Sequence, residues 1–215
     1  MPDKLRQKAI QSNLAMRSHI IAAIRDFFKR QDYLEIETPC RIPAPAPEAH
    51  IDAQSSGDWY LQTSPELCMK RLLAAGFKRI YQICRCFRKN ERGDRHLPEM
   101  TLLEWYTAGV DYTHMMQQCE ALILSVVQRL AIGSTITYQG RTIDLQPPWL
   151  RLAVSEAFER YADCSMAQAL ASNRFDEVMG LLIEPQLGRQ RPVILLDYPS
   201  RHGALARTKP GRPDL

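Results

Sequence analysis

The chain has 215 residues, 45% of them hydrophobic, and a formal net charge of +4. That length suits one sizeable domain with a real apolar core and would cramp two, while so mild and dispersed a charge permits an acidic partner without requiring one. No apolar run reaches membrane-spanning length and the N-terminus lacks the apolar core of a signal peptide, so the sequence reads as cytoplasmic with no membrane partner.

In chain order, Asn13 to Arg30 carries Leu14, Ile20, Ile21, Ile24, Phe27 and Phe28 mostly at helical spacing, which predicts an amphipathic helix. A short strand, Tyr33 to Thr38, follows and closes at Pro39. Arg41 to Gly57 alternates proline with alanine and reads as an extended connection, leading to a strand at Trp59 to Gln62. Thr63 and Ser64 can cap a helix that has Pro65 in its first turn and stops at Gly76.

Two strand-like runs come next, Arg79 to Arg88 and Glu99 to Tyr106, joined by the charged loop Lys89 to Pro98 as an antiparallel hairpin. Thr113 opens a helix with an inner stripe of Met116, Cys119, Leu122, Ile123, Val126 and Leu130, ended by Gly133. Thr135 to Leu145 reads as a second hairpin. Helices are expected at Leu152 to Tyr161, Met166 to Ala171 and Phe175 to Ile183, and a strand buried on both faces at Pro192 to Pro199. The basic stretch Ser200 to Leu215, rich in proline and glycine, is expected to be irregular.

The first hairpin holds the chemistry. A period of two puts Ile80, Gln82, Cys84, Cys86 and Arg88 on one side of the first strand, and Met100, Leu102, Glu104 and Tyr106 on one side of the second. Charge among apolar neighbours has two readings there: Arg88 and Glu104 pair across the hairpin, or they line a pocket whose ligand pairs them. Other constellations fail on inspection. There is no P-loop or dinucleotide fingerprint, Ser64 has no triad partners, and the five histidines show no HExxH spacing. The six cysteines form no CxxC pair and read as free, buried thiols, and no metal site is expected.

The FR of Phe87 and Arg88, a glutamate three residues on, and then HLPEMTLLEWY from His96 to Tyr106 resemble motif 2 of class II aminoacyl-tRNA synthetases. The upstream MKRLLAAGF is similar to their lysyl branch, and the first helix, strand and closing proline resemble motif 1, the dimer-forming element of that family. Within the branch, the serine of TSPE, where lysyl-tRNA synthetases usually have alanine, is similar to the short paralogues that attach β-lysine to elongation factor P. The family's complete catalytic domain continues into motif 3, whose glycines and ATP-binding arginine have no counterpart here. An anticodon-binding barrel has none either.

The resemblance implies an α+β fold over residues 1 to 215, a class II synthetase-like catalytic domain with a mostly antiparallel sheet flanked by helices and without its motif 3 portion. It implies ATP and Mg2+ as cofactors, and activation of lysine or β-lysine as an aminoacyl-adenylate for transfer to a lysine of elongation factor P. It further implies a homodimer through the motif 1-like segment. Arg88 matches the guanidinium on the α-phosphate, and His96 a residue near the outer phosphates. Asn90 stands where a glutamate usually reads adenine, with Glu91 one residue away as a substitute; Met100 replaces the phenylalanine that stacks on adenine, and Leu97 a common asparagine. Glu66 matches the carboxylate on the substrate's amino group, although a first-turn glutamate is also what the helix dipole favours. Ser64 and Pro65 shape the adjoining wall. Tyr106 matches the hydroxyl that meets the lysine side chain, with Glu104 beneath it. Two alternatives remain: a lysyl-tRNA synthetase catalytic fragment acting on tRNA, and a non-catalytic synthetase-like binding or dimerisation module.

Overall fold

The computed structural model describes residues 7–48, 51–93, 96–203 and 205–215. The chain forms two compact units, one of Ile24–Tyr112 and one of Met1–Ala23 with Thr113–Leu215.

The unit of residues 24–112 is built on a three-stranded sheet. Helix α1, Gln11–Arg30, enters it at Ile24. The chain then turns through Asp32, at a φ of 58°, into β1, Leu34–Glu35, which lies parallel to the central strand β5, Arg79–Phe87. On its other side β5 is antiparallel to β6, Glu99–Thr107, in unbroken register from Arg79 opposite Thr107 to Phe87 opposite Glu99. Between β1 and β5 lie β2 (Arg41–Ile42), β3 (Ser55–Ser56), β4 (Trp59–Leu61) and helix α2 (Glu66–Ala74).

The register decides what each face of the hairpin meets. Tyr81 and Trp105, cross-strand partners, point to the face where Phe28 of α1 is wholly buried. Its ring stacks on Tyr81 at a centroid distance of 4.5 Å and lies 5.6 Å from Trp105, 5.1 Å from Tyr33 and 5.2 Å from Phe27. Offset and edge contacts of this kind add to the area they bury. Polar contacts rim the cluster: Tyr33 hydrogen-bonds Thr107, and the Tyr81 phenol donates to Glu35, which also holds Arg25 at 2.9 Å. The opposite face carries Ile80, Gln82, Cys84 and Cys86 against Tyr106, Glu104, Leu102 and Met100, the sets that alternation predicts.

Helix α2 ends as predicted. Gly76, at a φ of 100°, takes the left-handed position, and its N–H and that of Phe77 reach back to the carbonyls of Leu73 and Leu72. The expected connection from Arg41 to Gly57 is partly strand: β2 and β3 both pair antiparallel with β4. Gly57, at a φ of 63°, allows the tight β3–β4 turn, and the Arg41 guanidinium lies 5.1 Å over the Trp59 ring while donating to the Ser56 carbonyl.

In the other unit, α3 (Tyr112–Arg129) buries Met116, Leu122, Val126 and Val127 but also Gln118 and Glu120, while Ile123 of the expected stripe is exposed. Glu120 is satisfied there by the Trp149 N–H at 2.8 Å and by Arg151 at 3.4 Å. The chain leaves the helix at Ala131, in the left-handed region, two residues before the expected stop at Gly133. The second hairpin forms as expected from β7 (Thr135–Tyr138) and β8 (Arg141–Asp144) around Gln139-Gly140, both at positive φ.

Leu152 and Ala153, read as helical, belong instead to β9 (Leu150–Ala153), which pairs parallel with β10 (Val193–Leu196). The helix α4 begins at Val154 and runs to Tyr161. Backbone pairing to β10 outcompetes helix propensity at those two positions, and β10 itself, which among the described residues pairs with β9 alone, is half-buried rather than buried on both faces. Helix α5 (Met166–Ala171) carries a Ser165–Gln168 capping box, and α6 (Phe175–Val178) continues into a wider π-type turn, Met179–Ile183. These elements enclose Leu152, Val154, Phe158, Phe175, Val178 and Ile183.

All six cysteines are free, but only Cys86 is buried; Cys40 is exposed and the others are half-buried. Cys40 lies just after Pro39, beside the start of β2, where its carbonyl accepts from the Gln62 N–H. Among the described residues no helix is long and apolar enough to cross a membrane.

Phe28→Ala should be the most damaging single truncation on the aromatic face, costing about 3–5 kcal/mol because four rings lose their common neighbour. Urea unfolding with and without the substitution measures this directly.

Candidate functional site

The turn Thr63–Glu66, at the entrance to α2, is the place where the hairpin's polar groups meet. Ser64 has two roles there. Its Oγ accepts from the Glu66 N–H at 3.0 Å, just ahead of the N-cap residue Pro65, and donates to Glu104 Oε1 at 2.5 Å. Helix start and strand β6 are thereby tied through one hydroxyl. Pro65, almost wholly buried, removes an N–H that the first turn would leave unpaired.

Glu104 receives a second donor on its other oxygen, the Tyr106 phenol at 2.9 Å. A carboxylate held by two hydroxyls fixes both side chains in place. Tyr106 is pushed well above the ordinary tyrosine range, first by burial, then by the Glu104 charge, by its own bond to that carboxylate and by Glu66. Glu66 therefore lies close enough to Tyr106 to act on it electrostatically, while its carboxylate holds Lys70 one turn along α2 at 2.5 Å.

Arg88 does not pair with Glu104. Its Nε reaches the Thr63 carbonyl at 3.4 Å, and its terminal nitrogen lies 3.8 Å from Glu91. Of the two readings of that face, the cross-hairpin ion pair is thus absent, and the guanidinium is aimed at the same turn that carries Ser64 and Glu66. Its backbone is gripped from both sides, by the Pro98 carbonyl at 2.9 Å and by the bridge to Ala53. The side chain keeps 23% of its surface accessible. One fixed, still reachable cation beside one carboxylate-rich wall is an arrangement suited to a ligand that is anionic at one end and cationic at the other.

The remaining expected residues lie at the outer end of the hairpin. Asn90 is exposed and takes a left-handed φ of 64°, which turns the chain out of the strand. Glu91 is committed to Arg88 in this state. His96 is exposed and linked to Gly93 through mutual backbone hydrogen bonds of 3.1 and 3.4 Å. Met100 is half-buried opposite Cys86.

Two further groups on this face carry polar chemistry that the motif reading passed over. Cys84 and Cys86 bring their sulfurs to 3.8 Å. Their shared hydrogen bond lowers Cys84 and raises Cys86, whose burial adds to its rise. Gln82 is 2% exposed and its side-chain oxygen has no hydrogen-bond partner. The signal for it was available: a glutamine in the middle of an apolar strand, directly across from Glu104.

These features define a polar wall on an antiparallel hairpin flanked by a helix, the arrangement of a class II synthetase core. The sequence matches the family model for tRNA synthetases class II (D, K and N) over residues 3–214. The chain belongs to that family. It is 35% identical to a lysine–tRNA ligase of Magnetococcus marinus over 93% of this chain and 45% of that protein, and 34% identical to one of Dehalococcoides mccartyi with the same shares. It is also 34% identical to an elongation factor P–(R)-β-lysine ligase of Erwinia tasmaniensis over 93% of this chain and 66% of that protein. The chain thus spans about half the length of the lysine–tRNA ligases it matches.

The neutral Tyr106 phenol contributes stability that is fully present below about pH 10, the unfolded tyrosine value, and is lost as pH rises through its raised folded value. Alkaline denaturation should therefore be shallower in Tyr106→Phe than in the parent chain, as followed by tryptophan fluorescence across that range.

Proposed function

We propose that this chain takes part in ATP-dependent activation of lysine or β-lysine as an aminoacyl-adenylate, with transfer to a lysine of elongation factor P. The observation that carries the reading is the convergence of Arg88, Ser64, Glu66, Glu104 and Tyr106 on one turn and one hairpin face. The substrate carboxylate attacks the α-phosphate of ATP, the bond to the β-phosphate breaks, and pyrophosphate leaves. Arg88, always charged and able to donate two parallel hydrogen bonds, neutralises the α-phosphate as charge builds there. Glu66 holds the substrate's amino group, and Glu104 with Tyr106 meets the side chain. His96 attends the outer phosphates, while Asn90, Glu91 and Met100 border the adenine; Glu91 leaves Arg88 when the phosphate arrives, because the triphosphate offers the guanidinium a better anion.

Among the described residues no three His, Cys, Asp or Glu gather closely enough to hold a metal ion. Magnesium is therefore proposed only as a companion of the nucleotide phosphates, and no step here depends on a protein metal site. The elongation factor P acceptor rests on Ser64, whose hydroxyl bonds to Glu104 where an alanine could not. A homodimer through the motif 1-like segment and a cytoplasmic setting belong to the same reading.

A second reading, aminoacylation of tRNA, is favoured by the many lysine–tRNA ligases among the relatives. Pyrophosphate exchange with lysine and with β-lysine, run on this chain and on any longer product of its gene, tests the activation step. Arg88→Ala should lower exchange about 100-fold or more; exchange unaffected by that change would end the assignment. Transfer of labelled lysine to elongation factor P but not to tRNA would support the first acceptor, and the converse would support the second. A chain that binds ATP and lysine with no exchange in either form would leave only the binding module.

A further inference from the structure

The side-chain oxygen of Gln82 is closed off from water and accepts no hydrogen bond. A buried acceptor left in this condition is costly, and native structures keep few of them. Gln82 lies on β5 directly opposite Glu104, with the Ile80–Tyr106 pair on one side and the Cys84–Leu102 pair on the other. Direct cross-strand pairing puts its side chain on the same face as the carboxylate whose two oxygens already receive the Ser64 and Tyr106 hydroxyls.

The Ser64 and Tyr106 hydroxyls both point at Glu104, which leaves acceptors on this wall to spare. Glu104 keeps free lone pairs on both oxygens, the Tyr106 oxygen can still accept, and the Gln82 oxygen is unused. A ligand group that supplies donors alone, carries positive charge and has threefold geometry matches this surplus. A primary ammonium does so, with three N–H donors and no acceptor.

We infer that Gln82 is a specificity-determining residue that accepts a hydrogen bond from the terminal ammonium of a lysine-type substrate, completing a three-acceptor socket with Glu104 and Tyr106. This inference rests on the proposed function and adds to it the group that distinguishes a charged side-chain terminus from an apolar one. Entry of the ammonium turns the Tyr106 phenol aside from Glu104, since a charged donor makes the stronger bond to that carboxylate. The phenol oxygen and the Gln82 amide then take the other two N–H groups. In the free chain the orphaned acceptor is a cost that the ligand removes.

The test compares binding of L-lysine and of norleucine, which has the same chain without the ammonium, to the wild-type chain, Gln82→Met and Gln82→Glu by equilibrium dialysis in the presence of ATP. Thermal unfolding without ligand is measured alongside. In Gln82→Met the preference for lysine over norleucine should fall about tenfold or more, because a hydrogen bond to a charged donor is lost. The ligand-free Tm should stay level or rise, since a buried unpaired acceptor has been removed. Gln82→Glu, which keeps acceptors at the same place, should hold the preference within about threefold of wild type.

An unchanged preference in Gln82→Met overturns the inference and leaves the proposed function standing. So does a lowered Tm with both ligands weakened alike, which would mark a structural glutamine. Failure of the wild-type chain to bind lysine at all would overturn the inference and the function together.

Discussion

The register between β5 and β6 is the constraint on which everything else in residues 24–112 depends. Side chains alternate along a strand, so a slip of one residue would carry Glu104 and Tyr106 to the aromatic face and drive Trp105 into the polar wall. Phe28 prevents this, because its ring stacks only against the set containing Tyr81 and Trp105. Packing on one side thus fixes the chemistry on the other. The Ser64 hydroxyl adds the third coordinate by joining the start of α2 to Glu104.

Much of this was legible in the sequence, for local reasons. Alternation named both faces of the hairpin correctly, while the helix expected after Thr63 and Ser64 begins one residue later than read, at Glu66, with Pro65 at the cap position rather than in the first turn. The places where reading fell short are those decided by distant partners. Leu152 and Ala153 look helical among their neighbours, yet β10, some forty residues on, recruits them as a strand. Glu120 interrupts an apolar stripe, and its burial makes sense only with Trp149 and Arg151 in place. Arg88 could have neutralised Glu104 on pattern alone; that it faces the Thr63 carbonyl depends on how the segment from Asp52 to Thr63 clasps the end of β5.

Gln82 is a different kind of omission. Motif comparison directs the eye to residues that match, and a glutamine between Tyr81 and Ile83 matches no named position. Burial and an empty acceptor are properties of three-dimensional surroundings. What the sequence does disclose is the anomaly itself, a long polar side chain at a position where period two demands an apolar one.

The two sides of the hairpin also differ in what they can tolerate over time. The aromatic side is a packed cluster in which each ring depends on the next, so a change at one ring is felt by its neighbours. The polar side is anchored by the buried Ile80 and Cys86 and by the Ser64–Glu104 bond, with the half-buried Leu102 and Met100 between them. A scaffold so divided can be retuned toward a different amine or a different nucleotide by drift along one edge of its strands, with the foldedness of the chain held in safe keeping on the reverse.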